Sequence, residues 1–163
     1  MIVDAVIEVP KGTNQKYEQD EDGNLRLDRI LSCSMVYPAN YGFVPKTIGS
    51  DGDELDILVL TPYSLVPHCV ISCRVIGVLN MEDEGGTDEK IIAVPCDKVD
   101  KSFSHIKDVS DLSPTLIREI VYFFERYKDL DKNKWSKVGE IEGIETASEL
   151  IEKYRTDFVR NQK

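Results

Sequence analysis

The stretch Asp51-Gly52-Asp53-Glu54-Leu55-Asp56 runs straight into Ile57-Leu58-Val59-Leu60. Four purely apolar residues, some of them β-branched, read as a buried strand. Three aspartates and a glutamate lead directly into it. Carboxylates so placed repel one another unless something positive sits among them. Taken alone, an Asp-rich hexapeptide also reads as a solvated acidic turn. Side chains alternate along an extended backbone, so Asp51 and Asp53 share a face while Asp56 points the other way. Gly52 permits the bend that would bring all three carboxylates to one point. Hard divalent cations take oxygen ligands, and Mg²⁺ binds a few carboxylates while keeping part of its water. An EF-hand does not fit: glycine stands second, Leu55 fifth, and a strand follows rather than a helix.

A chain of 163 residues is expected to form one domain spanning 1–163, with a substantial core. No apolar stretch approaches the roughly 20 residues needed to cross a bilayer. The start, Met1-Ile2-Val3-Asp4-Ala5, lacks the basic segment and apolar core of a signal peptide, so a cytoplasmic protein is expected. The net charge of −10 argues against a nucleic-acid partner, whose phosphates call for Lys and Arg. An anionic ligand stays open if bound metal reverses the local sign. Cys33, Cys69, Cys73 and Cys96 contain no Cys-x-x-Cys pair and read as free thiols. A zinc site at His68, Cys69 and Cys73 has the wrong spacing for a knuckle.

Residues 2–9 read as a strand stopped by Pro10 and Gly12, with Glu8 near its end either solvated or facing a site. Lys16-Tyr17-Glu18 and the alternating run 25–31 flank the turn composition of 20–24 and predict a hairpin. Its polar face carries Lys16 and Glu18, with Arg29 a further candidate. Residues 37–45, rich in aromatics, Pro and Gly, read as an ordered loop that brings two tyrosines towards the acidic stretch. Strands are expected over 57–60, 70–79 and 91–94, with 81–90 an acidic loop bent by Gly85-Gly86. Ser113-Pro114 opens a helix whose apolar face is Leu116, Ile117, Ile120, Val121, Phe124 and Tyr127. A second helix spans 145–160 with Ala147, Leu150, Ile151, Tyr154 and Phe158. Strands first and helices last predict an α+β fold, a small barrel with two main C-terminal helices packed against it.

These segments supply two carboxylate clusters (Asp51, Asp53, Asp56; Asp83, Asp88) and a basic and phenolic set (Lys16, Arg29, Tyr41, Lys90, Tyr127, Lys128). Clustered carboxylates gather divalent metals, Arg supplies a planar fork for phosphate oxygens, and Lys a mobile point charge. Metals and fixed cations around a phosphate are the usual layout for phosphoryl transfer.

The acidic hexapeptide resembles the Asp-Gly-Asp-Pro-x-Asp signature of the family I soluble inorganic pyrophosphatases, in their short bacterial form. The resemblance runs from Ile7-Glu8-Val9-Pro10 through Lys16-Tyr17-Glu18, Asp28-Arg29, Tyr37-Pro38-x-Asn40-Tyr41-Gly42, Asp83-Glu84, Asp88-x-Lys90 and His105-Ile106-Lys107-Asp108 to Phe123-Phe124-Glu125 and Tyr127-Lys128. It implies a five-stranded OB-like barrel flanked by helices, and Mg²⁺-dependent hydrolysis of pyrophosphate to two phosphates by a metal-activated water. It also implies a homohexamer. By matching position, Asp51, Asp56, Asp83 and Asp88 would hold metal, with Glu8 near an additional ion. Asp53 would deprotonate the attacking water. Lys16, Arg29, Tyr41, Tyr127 and Lys128 would hold the phosphates, and Glu18, Tyr37, Glu84 and Lys90 would line the pocket. Glu54 stands where the signature has Pro, so the turn loses a rigid φ and gains a carboxylate expected to face solvent.

Away from the resemblance, Tyr127 also reads as core, and Lys16 and Arg29 as ordinary strand-face charges. Two other functional classes remain: a non-catalytic OB-like module that binds a phosphorylated ligand through metal, and a divalent-cation buffer. The module has no need of Asp53, and the buffer has no use for Lys16, Arg29 and Tyr127.

Overall fold

The computed structural model describes residues 1–163. The strands are β1 (Ile2–Val9), β2 (Gln15–Gln19), β3 (Leu25–Ile30), β4 (Asn40–Val44), β5 (Leu55–Val59), β6 (Val70–Asp83), β7 (Gly86–Thr87), β8 (Lys90–Pro95) and β9 (Ser136–Gly143). The helices are α1 (Pro114–Arg126) and α2 (Ile144–Asn161). Five strands close on themselves: β1 pairs β4, β4 pairs β5, β5 pairs β8, β8 pairs β6, and β6 returns to β1. That ring is the expected five-stranded barrel. β9 extends the sheet from the far half of β6, and β2 and β3 form a separate hairpin. Every joint of the ring is antiparallel except β5–β8.

Alternate residues of the ring strands feed two cores. Val3, Ala5 and Ile7 share one cluster with Ile57, Val59, Val75, Ile91 and Ala93. The opposite face of β1 carries the exposed Ile2 and Asp4, so this shared face is the barrel interior. Ala147, Ile151 and Tyr154 of α2 join the same cluster and plug it. Leu58, Leu60, Ile92 and Val94 face outward into a second core, completed by Ile120, Phe123 and Phe124 of α1 and by Tyr127 at its C-terminal end. The strands therefore read as continuous apolar runs because they are buried on both faces. Gly42 is forced by packing: a Cβ there would stand 1.8 Å from the Val6 carbonyl oxygen.

The expected Ser113 N-cap is present, its Oγ accepting from the Thr115 N–H at 3.2 Å, with Pro114 in the first turn. α2 starts at Gly143 with no cap of its own. Asp108 supplies it from a distant turn, accepting from the Ile144 N–H at 3.0 Å.

Three sequence expectations are corrected. Residues 37–45 are not loop throughout, because Asn40–Val44 is a ring strand between β1 and β5. Buried Asn40 explains how a Pro- and Gly-flanked segment stays ordered: its side chain accepts from the Lys11 and Leu65 N–H groups and donates to the Tyr63 carbonyl. The 70–79 strand continues to Asp83, so the acidic loop narrows to a hairpin turn into β7. β9 went unread, and its pairing to β6 supplies the regularity that its glycines and charges conceal. No helix is long and apolar enough to cross a membrane.

Candidate active site

The parallel joint of the barrel decides where the acidic segments meet. Parallel strands begin at the same end, so the residues preceding β5 and those preceding β8 converge there. In register, Asp56 stands beside Lys90. Residues 51–54 of the hexapeptide lie just before β5 and Leu55 and Asp56 open the strand, with Gly52 at φ +87° supplying the bend. The turn closes through the Gly49 N–H donating to the Asp53 carbonyl (2.7 Å) and the Asp53 N–H donating to the Asp51 carboxylate (3.0 Å). Glu54 is exposed, as expected.

Lys90 is the positive charge that the carboxylates require. It is 1% exposed, and its Nζ donates to Asp56 at 3.0 Å, to Asp88 at 3.2 Å and to the Tyr41 hydroxyl at 2.9 Å. It also lies 5.0 Å from the ring centre of Tyr41 and 5.2 Å from that of Phe124, within cation–π range. Burial disfavours the ammonium, but the charges facing it, Asp56 foremost, hold it protonated well above the ordinary lysine range. Burial likewise works to raise Asp56, yet Lys90 and the hydrogen bonds from Tyr41 and Lys90 hold its carboxyl below the usual value. Burial pushes Asp88 up to about 6, with the negative Asp56 adding to the rise against the pull of Lys90. Of the two, Asp88 is the one that carries a proton first.

A second ion cluster faces this one. Lys128, just beyond α1, donates to Asp83 at 3.1 Å and to Glu84 at 3.1 Å. Tyr127 caps α1 and sits on Phe123 and Phe124, with ring centres at 5.4 and 5.3 Å. Tyr37 packs on Tyr41 at 5.1 Å and on Phe123 at 4.6 Å. Tyr127 is thus both core and site: its ring is buried while its side chain reaches the cavity. The hairpin brings the third group. Lys16 and Arg29 are paired in register across β2 and β3, with Lys16 3.4 Å from Glu18 and Arg29 3.1 Å from Asp28.

These elements surround one open cavity of about 450 Å³. Asp51, Asp53, Asp56, Asp83 and Asp88 line it, together with Lys16, Arg29, Tyr37, Tyr41, Lys90, Tyr127 and Lys128. Glu8, Glu18 and Glu84 do not line it; Glu18 and Glu84 stand behind it, paired to Lys16 and Lys128. Burial raises Glu8 to about 7, opposed by Lys16 and reinforced by Asp56. The wall also includes Asn14, Ser32, Asp131 and Lys134, which sequence reasoning did not select. The signal for the last two was the charged loop after α1; Asn14 and Ser32 carried none. Ser32 donates to Asp131 at 2.5 Å across the mouth.

No three carboxylates are grouped as a ready cation cage. The donor set nevertheless fits a hard divalent ion. Six aspartates, Asp51, Asp53, Asp56, Asp83, Asp88 and Asp131, line one cavity and offer the carboxylate oxygens that such an ion takes. The four cysteines are free and none of them lines the cavity.

The same arrangement of sequence and fold recurs in known proteins. The family model described as inorganic pyrophosphatase matches residues 5–158. The chain is 52% identical over 149 residues to an inorganic pyrophosphatase of Helicobacter pylori, covering 91% of this chain and 86% of that one. It is 51% identical over 158 residues to one from Nanoarchaeum equitans, covering 97% and 98%. A solved Helicobacter pylori inorganic pyrophosphatase superposes with a TM-score of 0.93 at 49% identity, covering 96% of this chain and 93% of that chain. Barrel, acidic turn and family match agree from end to end, and the chain belongs to the family I inorganic pyrophosphatases.

Proposed function

We propose that this protein hydrolyses inorganic pyrophosphate to two orthophosphates with Mg²⁺ as cofactor. The observation that carries the reading is the single cavity on which Asp51, Asp53, Asp56, Asp83 and Asp88 meet Lys16, Arg29, Tyr41, Tyr127 and Lys128. A tetra-anionic substrate entering so acidic a wall needs its charge neutralised, and catalysis of phosphoryl transfer is mostly positioning and charge stabilisation. When bound, Mg²⁺ supplies that neutralisation and makes water more acidic. Asp51, Asp56, Asp83 and Asp88 would hold the metal, with Glu8 near a further ion.

Arg29 and Lys16 grip one phosphoryl group from the hairpin side, Arg29 through its two-pronged fork. Lys128 and the Tyr127 and Tyr41 hydroxyls hold the other from the α1 side. Burial raises the phenols of Tyr41 and Tyr127, which keeps them neutral donors at physiological pH. Asp53, exposed on the rim and held by no lysine, takes the proton of the attacking water. Lys90, behind Asp56 and Asp88, keeps two carboxylates in place that would otherwise separate. Glu18, Tyr37 and Glu84 set the directions of Lys16, Tyr41 and Lys128. One domain over 1–163, a homohexameric assembly and a cytoplasmic location complete the reading, supported by membership of the family.

Phosphate release from pyrophosphate, with and without Mg²⁺, tests it. Release that requires Mg²⁺ and stops on chelation is expected. Binding of pyrophosphate without release would make the protein a phosphate-binding module, and release after thorough chelation would remove the metal from the mechanism.

A further inference from the structure

Behind the acidic turn, on the side away from the main cavity, lies a small cleft lined by Asp51, Asp56, Asp88, Glu89 and Tyr154. Three of these also line the main cavity, so they form a wall shared by the two. Tyr154 belongs to α2 and is 4% exposed within the barrel-plugging core. A residue that only filled this space would need no hydroxyl, because a buried phenol must find a partner.

Its contacts reach both acidic segments. The hydroxyl donates to Glu89 at 3.0 Å, and Glu89 is the immediate neighbour of Asp88. The backbone carbonyl of Tyr154 accepts from the Ile48 N–H at 3.1 Å, at the root of the Asp51 turn. The ring lies against Gly49, where a Cβ would stand 3.4 Å from Cε2 of Tyr154 and 3.2 Å from Oδ1 of Asp51. One helical residue thus tethers the segment before β5 and the segment before β8.

We propose that Tyr154 is a positioning residue for metal binding, acting through Glu89 to fix the distance between the Asp51 turn and Asp88. It touches neither substrate nor metal. The inference rests on the reading that Asp51 and Asp88 hold divalent metal. Partners behind a ligand fix its orientation, and their loss typically costs about tenfold or more in metal affinity or activity; a partner that touches only the frame of the ligands acts on affinity.

The test uses Tyr154→Phe, which keeps the ring and the backbone contact and removes only the hydroxyl. Binding of Mn²⁺ to the full-length protein, measured by calorimetry without substrate, is expected to weaken by about tenfold. Turnover at saturating Mg²⁺ is expected to fall far less than the affinity. Glu89→Ala is expected to match it, Glu89→Gln to lose less because an acceptor remains, and Tyr154→Phe/Glu89→Ala to lose no more than either single change. Parental Mn²⁺ affinity in Tyr154→Phe overturns the proposal, with or without a lowered melting temperature. Fully additive losses overturn it as well, since the two groups would then act separately. Because the titration needs no substrate, the expected pattern in a protein that does not release phosphate would support the tether and reject the pyrophosphatase reading.

Discussion

The barrel end where β5 and β8 run parallel and the β2–β3 hairpin supply opposite sides of the cavity in opposite ways. At the barrel end Lys90, Asp56 and Asp88 form a buried or half-buried set already paired with itself: the Lys90 side chain is 1% exposed and bound to both carboxylates. On the hairpin the Arg29 side chain is 59% exposed and holds only its neighbour Asp28, and every residue of β3 is exposed. A buried ion set contributes little net stability, but breaking it is costly, because each charge depends on the others for its solvation. An exposed arginine costs nothing to leave alone and is free to spend its fork on a ligand. On the reading proposed above, the difference divides the labour: one region builds the site during folding, and the other completes it when substrate arrives.

The strongest way to break that contrast is Lys90→Met. Removing the ammonium leaves Asp56 and Asp88 uncompensated, and a stability loss of about 3–5 kcal/mol at pH 7 is expected in metal-free protein. The loss carries a pH signature. Asp88 is raised from 3.8 to about 6, so its contribution is fully present below pH 3.8 and lost as pH climbs through 6. Asp56 is lowered by Lys90, and the stability it gains above the ordinary carboxyl range disappears with the lysine. Denaturant melts of parent and variant should therefore draw together as pH falls through about 6 and meet only below the ordinary carboxyl range, where Asp56 is protonated as well. A loss that does not change between pH 5 and 7 would mean that packing, not charge, organises the barrel end.

Asp53→Asn is expected to lower turnover by about a hundredfold, the usual scale of a general base and about 2.7 kcal/mol. Metal binding should persist, because both hydrogen bonds that close the turn use the Asp53 backbone, and Asp51 and Asp56 are untouched. A Mg²⁺ titration of rate checks this: recovery at high Mg²⁺ would make Asp53 a ligand rather than a base. On the hairpin side, Arg29→Lys keeps the charge but loses the fork, and a rate loss of about tenfold, or 1.4 kcal/mol, is expected. Stability should move by less than about 0.5 kcal/mol, as for other exposed positions. A variant that melts much earlier would put Arg29 among the organising charges and erase the distinction between the two regions.

The smallest effect is expected from Leu27→Ser on β3, where the side chain is half exposed: below about 0.5 kcal/mol in thermal melts of dilute protein. A larger loss that grows with protein concentration would sharpen the comparison differently, by showing that the outer face of the hairpin is covered by another subunit.

Much of this layout was legible because local chemistry and tertiary role agree. The hairpin announces itself by alternation around an Asp- and Gly-rich turn, and α1 by Ser113-Pro114 followed by a helical apolar stripe. The hexapeptide was legible as a bend entering a buried strand, although Asp56 proves to be part of that strand rather than before it. β4 was hidden because Tyr37-Pro38 and Gly42 carry loop chemistry, whereas Gly42 is there for its closeness to Val6. β9 was hidden because its regularity comes from its neighbour β6 and not from its own pattern. The residues of the site were nameable from motifs, but their division into buried and exposed charge was not. Lys90 is buried by tertiary neighbours, between Asp56 of β5 and Leu79 of β6 and under the rings of Tyr41 and Phe124. Tyr154 was visible as one apolar position on a helix face, and its hydroxyl gains meaning only from Glu89 across the fold.

The parallel joint also orders events while the chain is being made. Synthesis proceeds from the N-terminus, and Asp56 must wait 34 positions for Lys90 to appear. Until then its neighbours in the hexapeptide are an unscreened acidic tail, attractive to cations but without a frame to hold them. Tyr127 and Lys128 follow later, and the helix that plugs the barrel comes last of all. The barrel interior that holds β5 and β8 in register thus stays unfilled until α2 supplies Ala147, Ile151 and Tyr154, long after the ring strands themselves are made.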